Sequence, residues 1–140
     1  MQDTTGVRLP FDPAVQGAFT QVLGLVIDAA SPLEVRAHLD ITADHHNPMG
    51  FTHGGVYASV IESVAGIGSA LAESEGGGFA LGVNNQTDFI RPHVTGRLDV
   101  LGRPVQQGRT LQLWAVEMKN ADGRLVAQGQ VRLYRRPAAG

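Results

Sequence analysis

Cysteine is absent from this 140-residue chain. That removes disulfides, thiolate metal sites and a cysteine nucleophile in one step. It also suits a reducing compartment, so the cytoplasm is the expected location. Excess charge of one sign is missing too: eleven Lys and Arg stand against thirteen Asp and Glu, for a net charge of -2. The basic residues are scattered, without the patch or stripe that a nucleic-acid binder presents, so no nucleic-acid partner is expected. The first residues, Met1-Gln2-Asp3-Thr4-Thr5-Gly6, carry no basic leader, long apolar stretch or lipidation motif. The most apolar segment, roughly 54–72, is interrupted by Glu62 and by several Gly and Ser. A bilayer span takes about 20 mainly apolar residues, so this segment reads as a buried helix and no membrane partner is expected. His45, His46 and His53 lie close together, but no His-Glu-x-x-His or other metal-ligand spacing accompanies them, so no metal or cofactor is expected.

What remains is an ordinary globular balance, 43% hydrophobic and 17% charged. It supports a single domain over residues 1–140, with 1–10 as a disordered lead and a loose tail from Pro137. Asp12-Pro13 is a helix start signal, and a short helix is expected over roughly 13–20. Val22 to Ala30 reads as a strand, and Ser31-Pro32 as a turn. Leu33, Val35, Ala37 and Leu39 then alternate with charged residues and His38, the period of a half-buried strand. The two strands should form a hairpin. Residues 42–53 are a polar loop. Gly54 to about Glu73 reads as one helix, apolar on nearly every side and therefore buried nearly all round. Gly66 and Gly68 inside it imply close packing against a neighbouring backbone, since each costs about 1 kcal/mol relative to Ala. The run from Glu75 to Gly78 ends the helix. Strands are expected at about 79–90, 97–106, 109–119 and 124–135, with Ala121-Asp122-Gly123 as the last hairpin turn. One long helix inserted into an antiparallel meander gives an α+β fold with the sheet wrapped around that helix.

Chemistry concentrates between His46 and Glu62. Gly54 and Gly55 open the buried helix, whose first N–H groups lack intrahelical partners and sit at the positive end of the dipole. Glycine lets a ligand oxygen approach those groups closely. Glu62, two turns further on, is a carboxylate in apolar surroundings, which calls for a partner or a function. It could be a nucleophile or a general base, or simply a Glu satisfied at a subunit seam. His53 can brace the loop before the helix by bonding backbone groups.

The pattern Asn47-x-x-Gly50-x-x-His53-Gly54-Gly55 followed by Glu62 resembles the hotdog thioesterases of the phenylacetate-pathway and 4-hydroxybenzoyl-CoA type, in particular the actinobacterial 4-hydroxybenzoyl-CoA subgroup. The likeness continues through Gly82-Val83-Asn84-Asn85-Gln86-Thr87-Asp88-Phe89-Ile90-Arg91-Pro92 and Gly123-Arg124-Leu125, and covers most of the chain from about residue 20. It implies a hotdog fold and hydrolysis of an acyl-CoA, with an aromatic acyl group. CoA is then part of the substrate. By the same resemblance the Gly54 N–H holds the thioester oxygen, Asn47 helps to orient the thioester, and Glu62 attacks or activates water. Arg91, Arg109, Thr110 and Arg136 fall where relatives contact the CoA nucleotide, and His53, Gly55, Tyr57 and Phe89 are counted among the substrate contacts. Some relatives place a hydroxyl residue one turn after the acidic residue, where this chain has Gly66.

Gly54 and Glu62 are eight positions apart, about 12 Å along one helix. One thioester cannot comfortably touch both in a single chain, so a homodimer is expected; the resemblance extends this to a homotetramer. The polar strand at 83–89 is the candidate edge for pairing across it. Two other readings share this fold: an acyl-CoA hydratase or dehydratase, and a non-catalytic acyl-CoA-binding module. Asp44 lacks a His five positions on, where Met49 stands, which disfavours the first. Glu62 disfavours the second.

Overall fold

The computed structural model describes residues 17–74 and 76–136. The expected lead, the Asp12-Pro13 helix start, Glu75 and the tail lie outside them. Helix α1 spans Ala18–Leu23 and stops at Gly24, which adopts φ 73° and returns its N–H to Gln21 O at 3.0 Å. This left-handed stop places Val22 and Leu23 in the helix, so the strand expected from Val22 begins only at Val26. Strands β1 (Val26–Ser31) and β2 (Glu34–Ile41) form the expected hairpin. Ser31 Oγ accepts the N–H groups of Leu33 and Glu34 at 3.2 and 3.1 Å and so fixes the turn. Val35, Ala37, Leu39 and Ile41 are buried as the alternation requires, but Leu33 sits in that turn and is 66% exposed.

Helix α2 (Gly54–Ser74) is followed by β3 (Phe79–Phe89), β4 (Gly96–Gln107), β5 (Leu111–Asn120) and β6 (Leu125–Arg136). The β5–β6 turn is the expected one. Asn120 Oδ1 accepts from Asp122 N and Arg124 N at 3.0 Å each, and Gly123 takes φ 76°. All neighbouring strands are antiparallel, in the order β1-β2-β4-β5-β6-β3. The sheet curls around α2, which packs against every one of its strands. This is the hotdog arrangement. By length and composition α2 could cross a bilayer, but Val60, Ile61, Val64 and Leu71 are at most 1% exposed inside this single core. Burying each such side chain contributes about 1.5–3 kcal/mol.

Helix α2 is not buried all round, as its composition suggested. Gly55 and Glu62 are exposed, and Ser59, Ser63 and Gly66 are half-buried. At 100° per residue these five fall within about 100° of one another, on the side the sheet leaves open. The two interior glycines also separate. A Cβ on Gly68 would lie 2.1 Å from Trp114 Cη2, so Gly68 admits an indole ring rather than a backbone; a Cβ on Gly66 would meet nothing within 4 Å among the described residues.

Trp114 is fully buried and its ring has nowhere to retreat. Gly68→Ala should therefore lower stability by about 1–3 kcal/mol through overpacking, only partly offset by about 1 kcal/mol of helix propensity. Urea unfolding checks this. An unchanged or raised midpoint would show that the ring is free to shift.

Candidate active site

The loop before α2 is closed by its own backbone and by its histidines. His45 Nδ1 accepts the Thr42 N–H at 3.0 Å, which leaves the proton on Nε2 to bond Leu23 O at 2.7 Å. His46 Nε2 donates to Val94 O at 2.5 Å, and Thr52 donates both its N–H and its hydroxyl to His93 O at 2.9 and 2.6 Å. The loop is thus pinned to α1 on one side and to the β3–β4 connection on the other. At its tip Asn47 Oδ1 accepts from Met49 N and Phe51 N at 2.9 and 3.2 Å. Its carbonyl oxygen is spent on the loop, so the amide NH2 is the part left to meet a ligand.

The two glycines at the start of α2 admit two different rings. A Cβ on Gly54 would lie 2.2 Å from Phe89 Cε2, so the Phe89 ring rests directly on the first helical residue. A Cβ on Gly55 would lie 2.9 Å from His53 Nδ1, the atom that accepts the Gly55 N–H at 2.8 Å. His53 caps the helix with its imidazole, which is the bracing role expected of it. Gly54 N–H, next to that cap, meets no acceptor among the described residues. Phe89 is 59% exposed and packs on Tyr57 at 5.7 Å between centroids. Tyr57 is only 3% exposed.

Glu62 departs from expectation. It is exposed, not enclosed by apolar neighbours, and its carboxylate has no hydrogen-bond or ion-pair partner among the described residues. The physical reason is its place on the open face of α2. The hydroxyl protons of Ser59 and Ser63 go to carbonyls one turn back, Gly55 O at 2.6 Å and Ser59 O at 2.7 Å. The strand beside it, β3, is held to the helix by Asn85 Nδ2 on Ala58 O at 3.0 Å. Gly82 of β3 faces the carboxylate: a Cβ there would come 4.0 Å from Glu62 Cδ.

The four residues assigned to the nucleotide do not gather in one chain. Thr110 O accepts Arg135 N at 2.8 Å, so the Arg109–Thr110 turn lies beside Arg136, which pairs with Phe79 at the start of β3. Arg91 lies just beyond Phe89, the far end of the same 11-residue strand, about 34 Å away at 3.4 Å per residue. Two buried polar groups and a half-buried one that the sequence did not flag also emerge at the end of α2: Glu73 and Gln112, with Arg135, form one hydrogen-bonded cluster. The only sequence signal was a second carboxylate, Glu73, at the end of an apolar helix.

Fold and site together match known proteins. The family model of the thioesterase superfamily matches residues 49–127, and the chain belongs to that superfamily. It is a thioester hydrolase. "Putative esterase Rv1847" of Mycobacterium tuberculosis is 41% identical over 91% of this chain and 86% of its own length. The solved structure of that protein superposes with a TM-score of 0.86, covering 89% of this chain and all of that one. Human acyl-coenzyme A thioesterase 13 is 29% identical over 80% of this chain and 81% of its own. The 1,4-dihydroxy-2-naphthoyl-CoA thioesterase 2 of Arabidopsis thaliana is 31% identical over 72% of this chain and 64% of its own.

The Tyr57 hydroxyl is buried without an aligned hydrogen bond. Burial raises its pKa above the usual 10.0, and the neighbouring Thr52 hydroxyl opposes the shift in part. The folded state therefore favours the protonated phenol, a contribution that is complete below pH 10 and is lost as pH rises through the folded value. Tyr57→Phe should raise stability by about 1 kcal/mol at neutral pH, by removing an unpaired buried hydroxyl. It should also flatten the fall in stability above about pH 10. Urea titrations at pH 7 and pH 10.5 check both; a clear loss at pH 7 would mean that the hydroxyl has a partner.

Proposed function

We propose that this protein hydrolyses an aromatic acyl-CoA to the free acid and CoA in a site shared by two copies of the chain. One copy supplies the Gly54 N–H, at the positive end of α2, to the thioester oxygen, with the Asn47 amide as a second donor. The other supplies the Glu62 carboxylate, which attacks the carbonyl carbon or takes a proton from an attacking water. The observation that carries this reading is that the Gly54 N–H and the Glu62 carboxylate both lack partners among the described residues yet stand about 12 Å apart on one rigid helix. Neither can serve the other's substrate, but each can serve a neighbour's.

A two-fold axis beside β3 meets three needs together. The strand is a sheet edge with unpaired backbone groups along most of its length. Antiparallel pairing with its copy would cover Glu62 and the open face of α2. It would also bring Arg91 of one chain toward Arg109, Thr110 and Arg136 of the other, assembling guanidinium groups for the CoA phosphates. The aromatic preference follows from Phe89 and Tyr57 beside the oxyanion donor, and is supported by the naphthoyl-CoA relative. A binding module would leave Glu62 without a task, and a hydratase would need a His where Met49 stands.

Glu62→Gln should keep the fold, since the side chain is exposed and unpartnered, while kcat falls by about 10²-fold or more. Near-wild-type kcat in steady-state assays on benzoyl-CoA would sink the assignment. Mixing Glu62→Gln with a chain inactivated at Asn47 should restore part of the activity, because a heterodimer holds one intact site. Sedimentation and activity measured together on the mixture test the shared site. Full activity in a sedimenting monomer would overturn it.

A further inference from the structure

Glu73 is used by no step above, yet among the described residues it is the carboxylate that the fold buries, at 6% exposure. Gln112, itself fully buried, donates Nε2 to Glu73 Oε1 at 2.7 Å and accepts the Trp114 indole N–H at 2.8 Å. Arg135 contributes an ion pair, Nε lying 2.5 Å from Oε1 with its N–H off that line, and Nη2 donates to Oε2 at 3.2 Å. Its remaining nitrogen, Nη1, donates to Gly108 O, and its backbone N–H donates to Thr110 O at 2.8 Å. Arg135 thus grips both flanks of the turn whose middle residue is Arg109.

We infer that Glu73 and Arg135 are positioning residues that fix the Gly108–Thr110 turn so that Arg109, Thr110 and Arg136 meet the phosphates of the CoA nucleotide. This rests on the nucleotide reading of those three residues. An ion pair with one buried member is weak evidence of a stabilising role, since an apolar pair of the same volume often serves a core as well. What an apolar pair cannot supply is a third N–H reaching Gly108 O. Arg135 is anchored by the buried Glu73 and spends that donor on the turn, while Arg109 and Arg136, on either side, have no ion-pair or side-chain hydrogen-bond partner among the described residues. One arginine is anchored, and its two neighbours are left for an anion. A planar guanidinium recognises phosphate through paired, directional bonds, which gain from a fixed base.

The test is calorimetric titration of the intact protein with CoA and with pantetheine, which lacks the nucleotide. Arg135→Lys keeps the charge opposite Glu73 but loses the reach to Gly108 O, and Glu73→Gln keeps the shape but releases Arg135. Both should weaken CoA binding by about five- to tenfold, the order expected for a loosened charge-assisted contact. Pantetheine binding should stay within about twofold. Arg109→Ala reports on the underlying reading. If Arg109→Ala weakens CoA and the folded Arg135→Lys does not, the positioning role is overturned. If all variants weaken CoA and pantetheine alike, the cluster is only structural and the inference fails. If Arg109→Ala leaves CoA binding unchanged, the nucleotide reading fails and takes this inference with it. Should Glu73→Gln not fold, Arg135→Lys carries the test alone.

Discussion

A single curved sheet cannot cover the whole circumference of a helix, and the rest of this structure depends on what happens along the uncovered strip. Helix α2 is 21 residues long and fills the sheet with Val60, Ile61, Val64 and Leu71. The same geometry leaves Gly55, Ser59, Glu62 and Gly66 in a row without a cover. Every residue of that row except Glu62 is small. A row of small side chains permits close approach by another surface, and the one long side chain in it is the carboxylate to which the proposed function gives the chemistry. Beside the row runs β3, a strand with only one neighbour. The open strip and the open edge are one feature: both exist because the sheet ends at β3.

The entrance to α2 answers a different constraint. Helix N-termini expose N–H groups that must be satisfied, and here they are divided. His53 takes the Gly55 N–H, while the Gly54 N–H is left. Both glycines are required by rings, Gly55 by the imidazole and Gly54 by Phe89. A side chain at Gly54 would displace Phe89, and in the proposed site it would also crowd the thioester. In that proposal the same missing Cβ sets both the oxyanion geometry and the aromatic wall, and a substitution at Gly54 probes both together.

Much of this was legible in the sequence, and the failures have physical causes. Alternation over Val35, Ala37 and Leu39 gave β2, and the long apolar run gave α2, because periodicity reports one-sided burial directly. Val22-Leu23 misled, since a short apolar run fits helix or strand equally and only the left-handed Gly24 decides. Loop residues Asn47, His53 and Gly54 were legible as a motif, but the motif could not reveal that Phe89, 35 positions beyond Gly54, rests on that glycine. Composition failed most clearly on α2. Gly, Ala and Ser count as apolar or neutral whether they face a core or an opening, so the uncovered strip looked buried.

That failure had a consequence for the carboxylates. Glu62 and Glu73 are eleven positions apart, about three full turns, so they lie within about 20° on the same side of α2. Helical periodicity cannot tell them apart. One is exposed and unpartnered; the other is 6% exposed and bound by Gln112 and Arg135. The strip is closed at its far end by the end of β6 and the β4–β5 turn, and open in its middle. The rule that a carboxylate in an apolar helix needs a partner or a function therefore applies twice, with a different outcome at each place. Glu73 finds its partner within the chain. Glu62 finds none among the described residues, and in the proposed two-chain site it gains its surroundings only when a second copy covers the strip. Assembly and chemistry are then coupled at one residue: the association that completes the sheet edge also excludes water from the reacting carboxylate, where charges and dipoles act most strongly on a developing oxyanion.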